Sequence, residues 1–249
     1  MTPAAVIFLD FDGVLHKDGG PHFEHSEQLA SVLDEHPGVG IVFSTSWQFQ
    51  ESTDELRRYL PERIRDRVLG GTADDAAQDF MDRRTISWMK QISRTPGGVN
   101  FYDRESLAEG WMQAYSRSGV PWLSLDDDGF RFGYRSGRLL LCRHGFHDAE
   151  EVLLRAWLAA PERNIQDVVL EHAPTDPTEW TEREAVAAVR YQGGVPVLEG
   201  LPEPLRDAAL RLMPDVTAGH WESLISKWGC ARRGPRLMVE DGVKRRWLP

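Results

Sequence analysis

The chain has 249 residues, of which 41% are hydrophobic and 27% charged, and carries a formal net charge of −10 at pH 7. That length accommodates one sizeable α/β core with a smaller module beside it, since domains run at roughly 100–200 residues. No stretch approaches the roughly 18 uninterrupted apolar residues of a membrane span, and the acidity argues against strong nonspecific affinity for DNA or RNA, which depends on neutralising phosphates with Lys and Arg.

Residues 5–9 (AVIFL) form a short, wholly apolar, β-rich run ending abruptly at Asp10, the pattern of a buried parallel strand. Nothing in front of it resembles the basic region and cleavage site of a signal peptide. The cytoplasm is therefore the default compartment, and the only cysteines, Cys142 and Cys230, lie far apart without metal-ligand spacing, which points to packing roles. Helical spacing over residues 26–33 (Leu29, Val32, Leu33) leads to a second buried strand over 38–43, ending at Ser44 and completing a βαβ unit.

The alternation continues with an amphipathic helix over 51–60 stopped by Pro61, a short strand over 67–69, a helix over 81–92, a Pro/Gly loop over 94–100 and a helix over 105–117. Residues 121–125 (PWLSL) read as another buried strand, ending in Asp126, Asp127 and Asp128. A strand over 138–142 and a helix over 149–159 follow, and Pro161 closes the pattern. We therefore expect an α/β domain over residues 1–160 and a small, mostly helical appendage over 161–249, with helices over 181–191, 204–213 and 222–228.

The first motif with chemical content is Asp10-Phe11-Asp12-Gly13-Val14, directly after a strand. Two carboxylates at i and i+2 can face one small site where a strand ends in a turn, and Gly13 lets that turn close on a ligand. Asp-x-Asp-Gly alone also suits a surface turn, and a calcium loop would need further oxygen ligands between two helices. A carboxylate attacks phosphorus only when repulsion between anions is relieved, which a hard divalent cation held by carboxylate oxygens does most simply, so magnesium is implied. With Asp10 as nucleophile, Asp12 is placed to protonate the leaving oxygen and later to activate water.

Strand–Asp10-Phe11-Asp12-Gly13-Val14-Leu15 resembles the first signature motif of the haloacid dehalogenase (HAD) superfamily. The resemblance implies a Rossmann-like parallel sheet of HAD type and a magnesium-dependent phosphatase acting through an aspartyl-phosphate. It also implies a second-motif hydroxyl, Ser44 or Thr45, donating to the phosphoryl group, with Gly13 and Ser46 beside the substrate; for Ser46, plain helix capping is the alternative. Asp126 and Asp127 answer to the acidic pair that completes the metal site with Asp10 and Asp12. The third-motif cation is sought among Arg83, Arg84 and Lys90, with Arg84 preferred. Ser44-Thr45-Ser46-Trp47, together with Asp-x-Asp-Gly-Val-Leu-His and Trp-Leu-Ser-Leu-Asp-Asp, looks most like the HAD domains grouped with RNA-repair proteins, over about residues 4–158.

His16 follows the first motif closely enough to border the site, although a lone loop histidine is more often solvated. Roughly 25 residues between the first motif and the second strand suffice for a flap and a helix but not a large cap, which predicts an open site. The last stretch carries Lys227, Arg232, Arg233, Arg236, Lys244, Arg245 and Arg246 with Trp228 and Trp247, a pattern able to contact nucleic acid; a solvated tail balancing the acidic body is the preferred reading. The expected substrate is a phosphomonoester, on a small molecule or a nucleic-acid end. The alternatives are a dedicated nucleic-acid end-processing phosphatase, or a HAD-fold binding or scaffold protein whose sequence clue would be loss of the third-motif cation.

Overall fold

The computed structural model describes residues 2–16, 23–74, 103–128, 137–142, 144–176, 179–181, 183–184, 187, 190–192 and 195–197. The helix expected over 81–92, the loop over 94–100, the helices over 204–213 and 222–228, Cys230 and the basic end all lie outside them.

Strand β1 (Ala5–Leu9) is buried at every position, as is β2 (Val39–Phe43). Between them runs helix α1 (Ser26–Asp34), which turns Leu29, Ala30, Val32 and Leu33 inward. Runs apolar on both faces have no solvent side, so they become central strands of a sheet covered by helices. Strand β3 (Val68–Gly71) pairs with β2, while β4 (Trp122–Asp126) takes the other side of β1 and β5 (Leu139–Leu141) the far edge. All four pairings are parallel, in the order β3-β2-β1-β4-β5. The expected Rossmann-like α/β sheet is therefore present.

Two expectations differ in detail. The helix over 51–60 breaks into a short α2 (Thr53–Leu56) and a 3₁₀ turn at Arg57–Tyr59, followed beyond Pro61 by α3 (Glu62–Arg65). Ser52 and Glu55 form a reciprocal capping box that starts α2, and Pro61 disfavours helical geometry at the residue before it. The helix expected over 181–191 gives way at its end to β6 (Arg190–Gln192), which pairs antiparallel with β7 (Val195–Val197). The Gly193-Gly194 dipeptide between them is a two-residue hairpin signal that outweighs helical spacing.

The chain divides into two compact units, residues 1–168 and 169–249. The second, taken by itself, contains the β6-β7 hairpin and a local turn in which the Trp180 indole N–H donates to the Pro174 carbonyl at 2.8 Å. In the first, one face of the sheet is covered by α4 (Asp103–Ala114), whose Ala108, Trp111 and Met112 pack against Val6, Phe8, Val42 and Trp122. Phe8 meets Trp111 and Trp122 edge-on, with centroids 5.9 and 5.2 Å away. Burying each such ring contributes about 2–3 kcal/mol, so this cluster anchors α4 to the sheet. No helix among the described residues is long and apolar enough to cross a membrane.

Candidate active site

In an open parallel sheet ligands bind beyond the carboxyl ends of the strands, where the order reverses. Here that point lies at β1, with β2 on one side and β4 on the other. Leu9 is in register with both Phe43 and Leu125, so Asp10, Ser44 and Asp126 emerge at one level. The ladder continues there: the Asp10 N–H donates to the Leu125 carbonyl at 3.1 Å and the Ser44 N–H to the Leu9 carbonyl at 2.8 Å.

Carboxylate oxygens of Asp10, Asp126 and Asp127 lie within 4.8 Å of one another. Asp10 and Asp126 are sealed from solvent, at 1% and 0% exposure. Arg104, from the first turn of α4, reaches into this group and donates to Oδ2 of both. The other oxygens accept backbone N–H groups, Asp10 Oδ1 from Phe11 at 2.8 Å and Asp126 Oδ1 from Asp128 at 2.9 Å.

Burial pushes the Asp10 carboxyl above its ordinary range, and the Arg104 guanidinium opposes that rise. For Asp126 the same desolvation, reinforced by the neighbouring Asp10, wins by a wider margin over Arg104. Asp127 is pushed up to about 6, by burial first and the Asp10 charge second. With all three carboxylates ionised, their charge exceeds that of the single guanidinium, and the upward shifts express burial together with that excess. A hard divalent cation would cancel the excess, and an all-oxygen donor set suits magnesium, calcium or manganese. The residues present fit such an ion.

Gly13 makes the close approach feasible. Its φ is +71°, and a Cβ there would stand 2.3 Å from Asp127 Oδ2. The turn is tied by Gly13 N–H to the His16 carbonyl at 2.9 Å and by Leu15 N–H to the Phe11 carbonyl at 2.9 Å.

Asp12 faces differently. Its Oδ2 accepts the Trp47 indole N–H at 3.0 Å and its Oδ1 lies 3.2 Å from His16 Nε2, while the side chain stays 38% exposed. Its carboxylate is thus engaged outside the group formed by Asp10, Asp126 and Asp127, while the resemblance counts it with them toward the metal. His16, expected as a bordering and often solvated residue, is buried against Phe23 and Trp47.

The second-motif hydroxyls separate by their partners. Thr45 caps the 3₁₀ turn Ser46–Phe49, its Oγ1 accepting the Trp47 backbone N–H at 3.4 Å. Ser44 is buried, and its Oγ has no hydrogen-bond partner among the described residues. Ser46 is exposed and is not the cap. Arg83, Arg84 and Lys90 lie outside the described residues.

Sequence reasoning passed over Arg104. The signal was present: Arg104 shares a stripe with Ala108, Trp111 and Met112 at helical spacing, a cation on an otherwise apolar face. A crossover helix feeding a parallel strand runs antiparallel to it, so its first turn lies at the carboxyl edge of the sheet, beside the strand-terminal acids.

Comparison with curated proteins and with solved structures gives no match. A profile described as the HAD domain in Swiss Army Knife RNA repair proteins matches residues 6–150, which spans β1 through the start of the helix after β5 and contains every acid discussed above. With more than half of the chain covered, strand-terminal acids in the family's order and a buried arginine between them, this protein belongs to the HAD superfamily, in that RNA-repair-associated family.

Proposed function

We propose that the protein is a phosphomonoester hydrolase working through an aspartyl-phosphate on Asp10. The observation that carries this reading is the sealed pairing of Asp10 and Asp126 through Arg104, with Asp127 alongside. A buried nucleophilic carboxylate stays ionised only among fixed opposite charges, and such charges act most strongly where water is excluded.

In the first step an Asp10 carboxylate oxygen bonds to phosphorus while the ester P–O bond breaks. Its electron pair leaves on the ester oxygen, which takes a proton from Asp12. In the second, Asp12 accepts a proton from water, whose oxygen bonds to phosphorus as the acyl-phosphate P–O bond breaks. Inorganic phosphate departs and Asp10 is restored. Ser44 Oγ, free of other partners among the described residues, donates to a phosphoryl oxygen. Arg104 balances the charge of Asp10. Asp10, Asp126 and Asp127 would hold a magnesium ion, which would supply the remaining positive charge against nucleophile and phosphate. Arg104 also argues against the scaffold alternative, whose clue would be loss of such a cation.

A second reading, that the phosphate stands on a nucleic-acid end, is favoured by the surroundings of Asp12. Phe23, Trp47 and Tyr59 form a half-buried aromatic wall there, Phe23 and Tyr59 stacked with centroids 4.7 Å apart, and Phe49 beyond them is 72% exposed. Aromatic faces of this kind accept bases irrespective of sequence, and the family's description refers to RNA repair.

The test is a magnesium-dependent phosphatase assay on p-nitrophenyl phosphate, a metabolite panel and 3′- or 5′-phosphorylated oligonucleotides. Activity should require Mg²⁺ and vanish in Asp10→Asn. Hydrolysis that Asp10→Asn leaves unchanged overturns the mechanism, and preference for free nucleotides or sugar phosphates over oligonucleotides overturns the second reading.

A further inference from the structure

We infer that Trp47 is a positioning residue for Asp12: its indole N–H, with the His16 imidazole on the other carboxyl oxygen, holds the acid–base group at the leaving-group side of the site. This role rests on the phosphoryl-transfer reading above.

A half-exposed carboxylate on a turn would ordinarily sample several rotamers. Asp12 Oδ2 accepts the Trp47 Nε1–H at 3.0 Å, and His16 Nε2 stands 3.2 Å from Oδ1, at ion-pair distance. Neither partner is loose. The Trp47 ring sits edge-on to Phe11, Phe23 and Tyr59 with centroids 5.9, 5.8 and 5.3 Å away, and His16 packs on Phe23 at 4.9 Å. His16 is also drawn under Asp12 by the backbone, since its carbonyl accepts the Gly13 N–H. The donor on Asp12 is therefore located by at least four side chains, whereas exposed carboxylates usually rely on water.

The same turn serves both sides of the site. Thr45 caps Ser46–Phe49 by accepting the Trp47 N–H, so the segment that carries Ser44 at the end of β2 also sets the height of the indole. Proton transfer demands a heavy-atom separation near hydrogen-bond length, and misplacement by about 1 Å can cost on the order of 10²-fold. A carboxyl group held by a packed indole donor, with a second ring beside it, meets that demand without ordering anything further when substrate arrives. Trp47 acts through Asp12, and its effect falls on leaving groups that need a proton.

The discriminating measurement is kcat/KM on an alkyl phosphate and on p-nitrophenyl phosphate, whose leaving group departs without protonation. Trp47→Phe keeps a ring and removes only the donor, and should lower kcat/KM for the alkyl ester about tenfold more than for the aryl ester. In an Asp12→Asn background the same change should have no further selective effect, because the group it positions is gone. Independently of activity, the Trp47 indole ¹⁵N–H resonance, assigned by its loss in Trp47→Phe, should move in Asp12→Asn. Equal losses on both esters would reduce Trp47 to a packing residue and overturn the inference, as would an indole resonance indifferent to Asp12→Asn. Wild-type protein inactive on both esters would instead sink the hydrolase reading and this role with it.

Discussion

Asp10 and Asp12 stand two residues apart, and the fold places them in opposite surroundings. On the Asp10 side the acids are sealed, share a guanidinium and have carboxyl groups pushed upward by desolvation. On the Asp12 side the carboxylate is partly wet, and the Trp47 indole N–H holds it against an aromatic wall with His16 Nε2 3.2 Å away. The first environment suits charge that must stay fixed on the nucleophile and a cation; the second suits a group that must give and take a proton at the solvent boundary. Two chemically identical residues acquire two environments because one follows a buried strand while the other begins a turn.

The contrast is broken most severely at the nucleophile. Asp10→Asn should lower kcat by at least about 10³-fold under saturating Mg²⁺. Asp12→Asn should spare p-nitrophenyl phosphate far more than alkyl esters, and comparable losses in both variants on both esters would erase the proposed division of labour.

Next comes the shared cation. Arg104→Met strips two buried carboxylates of their partner and should destabilise the metal-free protein by about 3–5 kcal/mol in urea melts. Added Mg²⁺ should restore part of that loss if, as proposed, the same acids hold it. Unchanged stability would mean that Arg104 and the acids are not paired in solution.

Gly13→Ala tests the seam between the two sides. A positive φ costs an alanine about 1 kcal/mol, and its Cβ would collide with the Asp127 carboxylate, 2.3 Å from Oδ2. Stability should fall by about 1–2 kcal/mol, and Mg²⁺ affinity, read by calorimetry, should weaken more than stability does.

The smallest effect is that of pH. A carboxyl whose folded pKa is raised favours folding while protonated, and that contribution is lost as pH rises toward the folded value. Asp127, raised from 3.8 to about 6, together with the upward shifts of Asp10 and Asp126, makes the metal-free Tm fall between about pH 4 and pH 6. Saturating Mg²⁺ should flatten that slope, and its apparent affinity should rise across the same window as protons leave its ligands. A metal-free Tm that climbs through this range would contradict the buried-acid cluster.

Much of this was legible along the chain. Uninterrupted apolar runs announce strands covered on both faces, so 5–9, 38–43 and 121–125 identify themselves and carry Asp10, Ser44 and Asp126 to strand ends. From that periodicity follows the sheet, while the resemblance of the motifs to HAD signatures implies the superfamily and an acidic site of Asp10, Asp12, Asp126 and Asp127. Only the folded molecule shows that Arg104 joins the acids, that Ser44 Oγ has no partner among the described residues and where Asp12 turns. Arg104 is 94 residues from Asp10, and Trp47 is 35 from Asp12. Local spacing sets which face a side chain occupies, whereas helix docking and turn geometry bring such distant groups within hydrogen-bond reach, and those depend on packing across the whole core.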